Sequence, residues 1–129
     1  MPPEKNAPTP AEWKVLKLLF ELGPSAARDL IAAAERAHGW SASTVKTLLR
    51  RLTDKGHVEA QAVGSSFLYR ATRPAHRALR DEADRLLANS APGALGPLLQ
   101  YLVKKSRLSK DELDELRALI DAQREERER

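Results

Sequence analysis

No cysteine occurs anywhere in the 129-residue chain. Disulfides, thiolate metal sites, cysteine nucleophiles and thiol redox sensing are therefore excluded. Aromatic residues make up only 5%, so a core must be built from aliphatic side chains. No apolar run approaches the roughly 20 residues needed to cross a bilayer. The opening segment, Met1-Pro2-Pro3-Glu4-Lys5-Asn6, lacks the apolar centre of a secretion signal and carries an acid. No membrane insertion is expected, and the expected location is cytoplasmic. Catalytic constellations are also missing. His38, His57 and His76 stand apart, with no carboxylate at metal-ligand spacing beside them. There is no HExxH and no phosphate-cradling glycine loop. Gly64-Ser65-Ser66 lacks the second glycine and following helix of a nucleophile elbow. Neither enzymatic activity nor a metal or other cofactor is expected.

What is present describes a soluble globular chain, with 42% hydrophobic and 31% charged residues. Its length allows one real core and a small second module. The formal net charge is +4, and its placement is uneven. Residues 1–73 hold 11 basic and 7 acidic residues, whereas residues 74–129 hold 11 of each. All of the excess positive charge lies in the N-terminal part, which suggests a polyanion-facing module followed by a charge-balanced one.

In chain order, residues 1–8 are Pro-rich and polar and read as a flexible arm. Thr9-Pro10-Ala11-Glu12 is a capping box with proline at the first helical position. It launches a helix through about Leu22, with Trp13, Leu16, Leu19 and Phe20 among its apolar positions. Gly23-Pro24 ends that helix, and Ser25 is the expected cap of the next, an alanine-rich helix over residues 26–37. His38-Gly39-Trp40 makes a short turn.

A third helix follows over residues 41–55, with Ser41 as its cap and Gly56 as its left-handed stop. Val45, Leu48, Leu49 and Leu52 fall at i, i+3, i+4 and i+7, one apolar stripe. The opposite face carries Ser43, Thr47 and Arg50, with Lys46 and Arg51 on its flanks and Thr44 near the leading end. Residues 41–55 hold four basic residues and one acid. Short hydroxyls that reach base edges, beside cations that reach phosphates, suit a helix lying in a DNA major groove.

The period then changes to alternation over His57–Ala62. Gly64-Ser65-Ser66 forms a turn, and Phe67–Thr72 is rich in strand formers. Helix, helix, helix, hairpin is the order of a winged helix-turn-helix domain, assigned to residues 9–73, with Arg70 or Arg73 placed to touch DNA from the wing. Residues 74–129 read as three short helices with too few apolar residues for a core of their own. Such stripes are satisfied most simply by two-fold dimerisation. The expected fold class is thus mainly α with a small β-hairpin: a winged helix-turn-helix domain followed by a helical dimerisation region.

These residues resemble the BlaI/MecI/CopY family of bacterial transcriptional repressors. The resemblance is carried by Ala11-Glu12-Trp13 with Val15, by Ser25-Ala26 with Asp29-Leu30, and by the run Thr44 to Leu52 followed by Lys55-Gly56. It continues through Phe67-Leu68-Tyr69 and Glu112 to Leu116, and covers about Pro10 to Asp121. It implies a homodimer on an inverted-repeat operator of double-stranded DNA, controlling β-lactamase or related genes. Carried onto this chain, Ser43, Thr44, Lys46 and Thr47 are the candidates for base contact. Ser41, Arg50 and Arg51, with Arg70 of the wing, are those for phosphate. Leu79, Leu86, Leu98, Leu99, Tyr101, Leu102, Leu113, Leu116 and Ile120 are the candidates for dimerisation.

Two departures bear on induction. The copper-responsive branch uses C-terminal cysteines, which this chain lacks. The penicillinase branch is cleaved at an Asn-Phe bond, which falls at Tyr101-Leu102 here, and no Asn-Phe pair occurs in the sequence. Two other readings stay open. A winged helix used only for protein contact would show an apolar or acidic outer face on residues 41–55. A ligand-sensing regulator would place a small-molecule pocket between the winged domain and the dimer helices, lined by Trp13, Trp40, Phe67 and Tyr69.

Overall fold

The computed structural model describes residues 6–129; the first five residues of the expected N-terminal arm lie outside that range. Helix α1 is Pro10–Leu22, strand β1 is Ser25–Ala26, α2 is Ala27–His38 and α3 is Ala42–Asp54. Strands β2 (Val58–Val63) and β3 (Ser66–Ala71) follow, then α4 (Ala75–Asn89), α5 (Leu95–Lys105) and α6 (Lys110–Arg127). The chain divides into two compact units, one reaching Ala88 and the other Asn89–Arg129. Helix α4 therefore belongs almost entirely to the first.

The start of α1 is fixed by its own residues. The Thr9 hydroxyl accepts the Glu12 amide, and the Glu12 carboxylate accepts the Thr9 amide, both at 3.2 Å. Val15, Leu16, Leu18 and Leu19 turn inward from this helix, Leu30, Ala33 and Ala34 from α2, and Val45, Leu48, Leu49 and Leu52 from α3. Val58 closes the cluster from β2. The alanines of α2 let its backbone approach closely, and the aliphatic stripes of α1 and α3 fill the remaining space.

The sheet is antiparallel in the order β1-β3-β2. Its hairpin is closed by Gly64-Ser65, between the paired Val63 and Ser66. Gly64 has φ +61° and Ser65 is not left-handed, the pattern of a type II′ turn that matches strand twist. The third strand corrects one expectation. Ser25 does not cap α2; it pairs with Tyr69 in β1, and its hydroxyl donates to the Gly23 carbonyl at 2.7 Å. The residue at the cap position is Ala26, which makes no side-chain hydrogen bond to the helix. Pairing with the wing fixes the backbone here, so no cap is needed to set the direction of α2.

In the second unit, α6 opens with the expected capping box, Ser109 with Glu112. Helix α5 carries Gly96-Pro97 in its first turn, where proline removes no intrahelical hydrogen bond. Neither helix buries a residue fully.

Leu52 is wholly buried where α3 meets the core. Leu52→Ala is expected to lower unfolding free energy by about 2–5 kcal/mol, measured by urea denaturation.

Candidate nucleic-acid interface

The apolar stripe of α3 faces the core, so its polar face must look outward. Ser41 starts the helix: its hydroxyl accepts the Thr44 amide at 3.2 Å and shares a hydrogen bond with the Thr44 hydroxyl at 3.0 Å. Ser43, Lys46, Thr47 and Arg50 line one shallow open groove of about 500 Å³ along the outer face. They follow i, i+3, i+4 and i+7, the same period as the buried stripe, rotated to the other side. Three of the four base-contact candidates thus share a surface with Arg50, while Thr44 sits at the leading end with its hydroxyl engaged by Ser41. Among the described residues, Lys46, Arg50 and Arg51 have no ion-pair partner. Their charge is therefore directed wholly at solvent.

Cations elsewhere in the first unit are partly neutralised. Arg70 on β3 pairs with Glu59, the residue directly opposite on β2. Arg73 pairs with Asp81 of α4. A phosphate contact by Arg70 would have to compete with Glu59. Sequence reasoning missed both acids because cross-strand register and the return of α4 are tertiary facts. It also missed Arg28, which lines a groove with Ala26, Ala27, Val63 and Ser66–Tyr69 beside the uncapped start of α2. The four aromatics proposed for a ligand pocket are not brought together. Phe67 and Tyr69 lie on that wing-edge groove, Trp40 packs against the core, and Trp13 lines a different groove.

The far end of α3 is tied down by a second device. Lys55, the residue ending the helix, donates to the Glu12 carboxylate at 2.5 Å and to the Ala7 carbonyl at 3.2 Å. The Glu12 side chain is about 1% exposed, and its second oxygen has no partner among the described residues. Next to Lys55, the His57 ring meets the Asn6 carbonyl. Burial works to raise the Glu12 pKa. Hydrogen bonds from Lys55 and Thr9, with the ammonium charge, outweigh it and hold the carboxyl below the ordinary glutamate range. The ion pair thus joins the first turn of α1 to the last turn of the outward-facing helix.

Among the dimerisation candidates, Leu86, Leu99, Tyr101, Leu102, Leu113 and Ile120 are 44–60% exposed, as is Leu119, and Val103 is 43% exposed. Leu98 and Leu116 are half-buried within the second unit. Leu79 is 61% exposed and belongs to a groove of the first unit.

Three helices and an antiparallel hairpin, with the second and third helices joined by a tight turn, form a winged helix-turn-helix unit. That is a fold of DNA-binding transcriptional regulators. Comparison with known proteins narrows the class. The profile of the family described as "Penicillinase repressor" matches residues 8–122. The chain belongs to this family and is a transcriptional repressor by kind. An uncharacterised 16.5 kDa protein of Latilactobacillus sakei is 32% identical over 117 residues, covering 91% of this chain and 80% of the relative. The methicillin resistance regulatory protein MecI of Staphylococcus aureus is 25% identical over 111 residues, covering 86% and 90%. The solution structure of the DNA-binding domain of the repressor BlaI superposes with a TM-score of 0.50 at 25% identity, covering 54% of this chain and 87% of that one. No helix among the described residues is long and apolar enough to cross a membrane.

The lowered Glu12 pKa has a defined sign. Its stabilisation is complete above the unfolded value, about 4.3, and is lost as pH falls through the folded value. Glu12→Gln is expected to flatten the decline of stability below about pH 4.3. Lys55→Met, which leaves the buried carboxylate unpaired, should cost about 2 kcal/mol at neutral pH. Urea denaturation across a pH series measures both.

Proposed function

We propose that this protein is a homodimeric repressor that reads an inverted-repeat operator with α3 of each protomer, in the cytoplasm. The observation that carries the reading is the α3 face: Ser43, Lys46, Thr47 and Arg50 on one surface, with Lys46 and Arg50 unneutralised. An apolar or acidic face would have favoured protein contact instead. Ser43, Lys46 and Thr47, with Thr44 at the leading end, are assigned to base edges in the major groove. Arg50 and Arg51 are assigned to phosphates, and Ser41 orients the helix start beside them. Arg28 and the uncapped amides of α2 suit a further phosphate. Arg70 joins them only by exchanging Glu59 for DNA.

Dimerisation is assigned to the apolar faces of the second unit. Two helices that bury no residue fully cannot hold themselves together, and a second copy offers the same faces in return. Leu98, Leu99, Tyr101, Leu102, Leu113, Leu116 and Ile120 would supply this core, with Leu86 at the end of α4. The name of the MecI relative makes β-lactam resistance genes the first targets to examine. Release by cleavage at an Asn-Phe bond does not transfer, because the chain has none.

Genome-wide footprinting of the purified protein, beside Lys46→Ala/Thr47→Ala, tests the operator reading. The expected result is a palindromic site enriched by the wild type and lost in the double variant. Binding equal on all fragments and strongly salt-sensitive would reduce α3 to an electrostatic patch. Ile120→Asp with Leu99→Asp should give a monomer by sedimentation equilibrium, with the winged unit still folded. A dimer that persisted in that variant would move the interface elsewhere.

A further inference from the structure

One apolar feature of the first unit, which includes the dimerisation candidate Leu79, is not used by DNA reading or by the dimer faces assigned to the second unit. Trp13, Lys14, Lys17, Phe20 and Glu21 of α1, with Ala75 and Leu79 of α4, line a groove of about 510 Å³. That volume lies within the usual range for small-molecule sites, about 300–1,000 Å³. Its walls are set in place rather than loose. The Trp13 indole N–H donates to Glu82 of α4 at 3.2 Å, Glu82 pairs with Arg85, and Arg73 pairs with Asp81. Trp13 and Phe20 are only partly covered by the core and present apolar surface to the groove, and Leu79 is 61% exposed across from them.

The rim has two cations and one acid, Lys14, Lys17 and Glu21, and none has an ion-pair partner among the described residues. A net single positive charge over an apolar floor complements one negative charge on an apolar body. Lys14 also reaches in a second direction. Its ammonium lies 5.9 Å from the centre of the Trp40 ring, and Trp40 immediately precedes Ser41, the cap of α3. The same cation therefore serves the groove and braces the entry to the DNA-facing helix.

We propose that this groove binds a small monoanion with an apolar, ring-sized body, such as an aromatic carboxylate, and that its binding draws Lys14 from Trp40 and weakens operator binding. The second half of this inference rests on the repressor reading; the first does not. The anion seats its ring between Trp13, Phe20 and Leu79 and its carboxylate at Lys14 and Lys17. A dianion is disfavoured by Glu21, and a neutral compound gains nothing from the lysines.

The test uses the full chain with 2-naphthoate as the probe and 2-naphthalenemethanol as its uncharged counterpart, with Trp fluorescence and calorimetry as readouts. Naphthoate is expected to bind at least tenfold more tightly than the alcohol. Lys17→Gln should remove most of that difference, and Ala75→Trp, which fills the groove, should abolish binding while the circular dichroism of the fold is retained. Equal affinity for the two compounds, or an unaffected Lys17→Gln variant, overturns the site. So does the absence of naphthoate binding to the wild type, and loss of the dimer in Ala75→Trp would then make a second copy the occupant. Operator binding is then measured with and without saturating naphthoate. A fall of at least fivefold in the wild type, absent in Lys14→Gln, supports the coupling; naphthoate that binds without changing operator affinity overturns it. Failure of operator binding before any naphthoate is added would count against the repressor reading alone.

Discussion

Burial of Val45, Leu48, Leu49 and Leu52 governs the rest of the molecule, because it decides which side of α3 faces out. All four are at most 5% exposed and meet the aliphatic surfaces of α1 and α2. Each such side chain contributes about 1.5–3 kcal/mol on burial, so a rotated helix would lose far more than any surface contact returns. Once the stripe is fixed, Ser43, Lys46, Thr47 and Arg50 have no choice of direction. The DNA-facing surface is a consequence of packing, and its precision is the precision of the core.

Two polar devices add to that constraint at the ends of the same helix. The Ser41 hydroxyl accepts the Thr44 amide, and the Glu12–Lys55 pair fastens the trailing end to α1. Burying Glu12 is costly, and replacing such a pair by apolar residues is often neutral for stability. Its contribution here is geometric: it joins the last turn of α3 to the first turn of α1, in the same arrangement that the buried stripe sets.

The order of elements was legible in the residues because each signal is local. Capping boxes at Thr9 and Ser109, the stripe of α3 and the glycine of the hairpin turn all act within a few positions. What escaped sequence reasoning depends on distant partners. Ser25 carries the composition of a cap, yet pairing with Tyr69 turns it into a strand residue. Lys55 read as one more cation of a basic helix, while its partner lies 43 positions away. Arg70 likewise loses part of its freedom to Glu59, a pairing that only strand register reveals. Phe20 read as an apolar position of α1, and Trp13 as that or as the wall of a pocket shared with Trp40, Phe67 and Tyr69. The return of α4 over α1 instead leaves both lining a groove with Ala75 and Leu79. The α3 face was readable for the opposite reason: it follows from one helix and one period.

The most direct test of the account exploits the missing cysteine. Thr47→Cys introduces a single thiol in the middle of the outer face of α3, to which an iron-chelate DNA-cleaving group can be attached. On an operator fragment, two clusters of strand breaks are expected in major grooves about one or two helical turns apart, each turn about 10 base pairs. Cuts scattered evenly along the fragment, or none above background while the protein stays bound, would contradict the claim that this packed helix is the one that reads DNA.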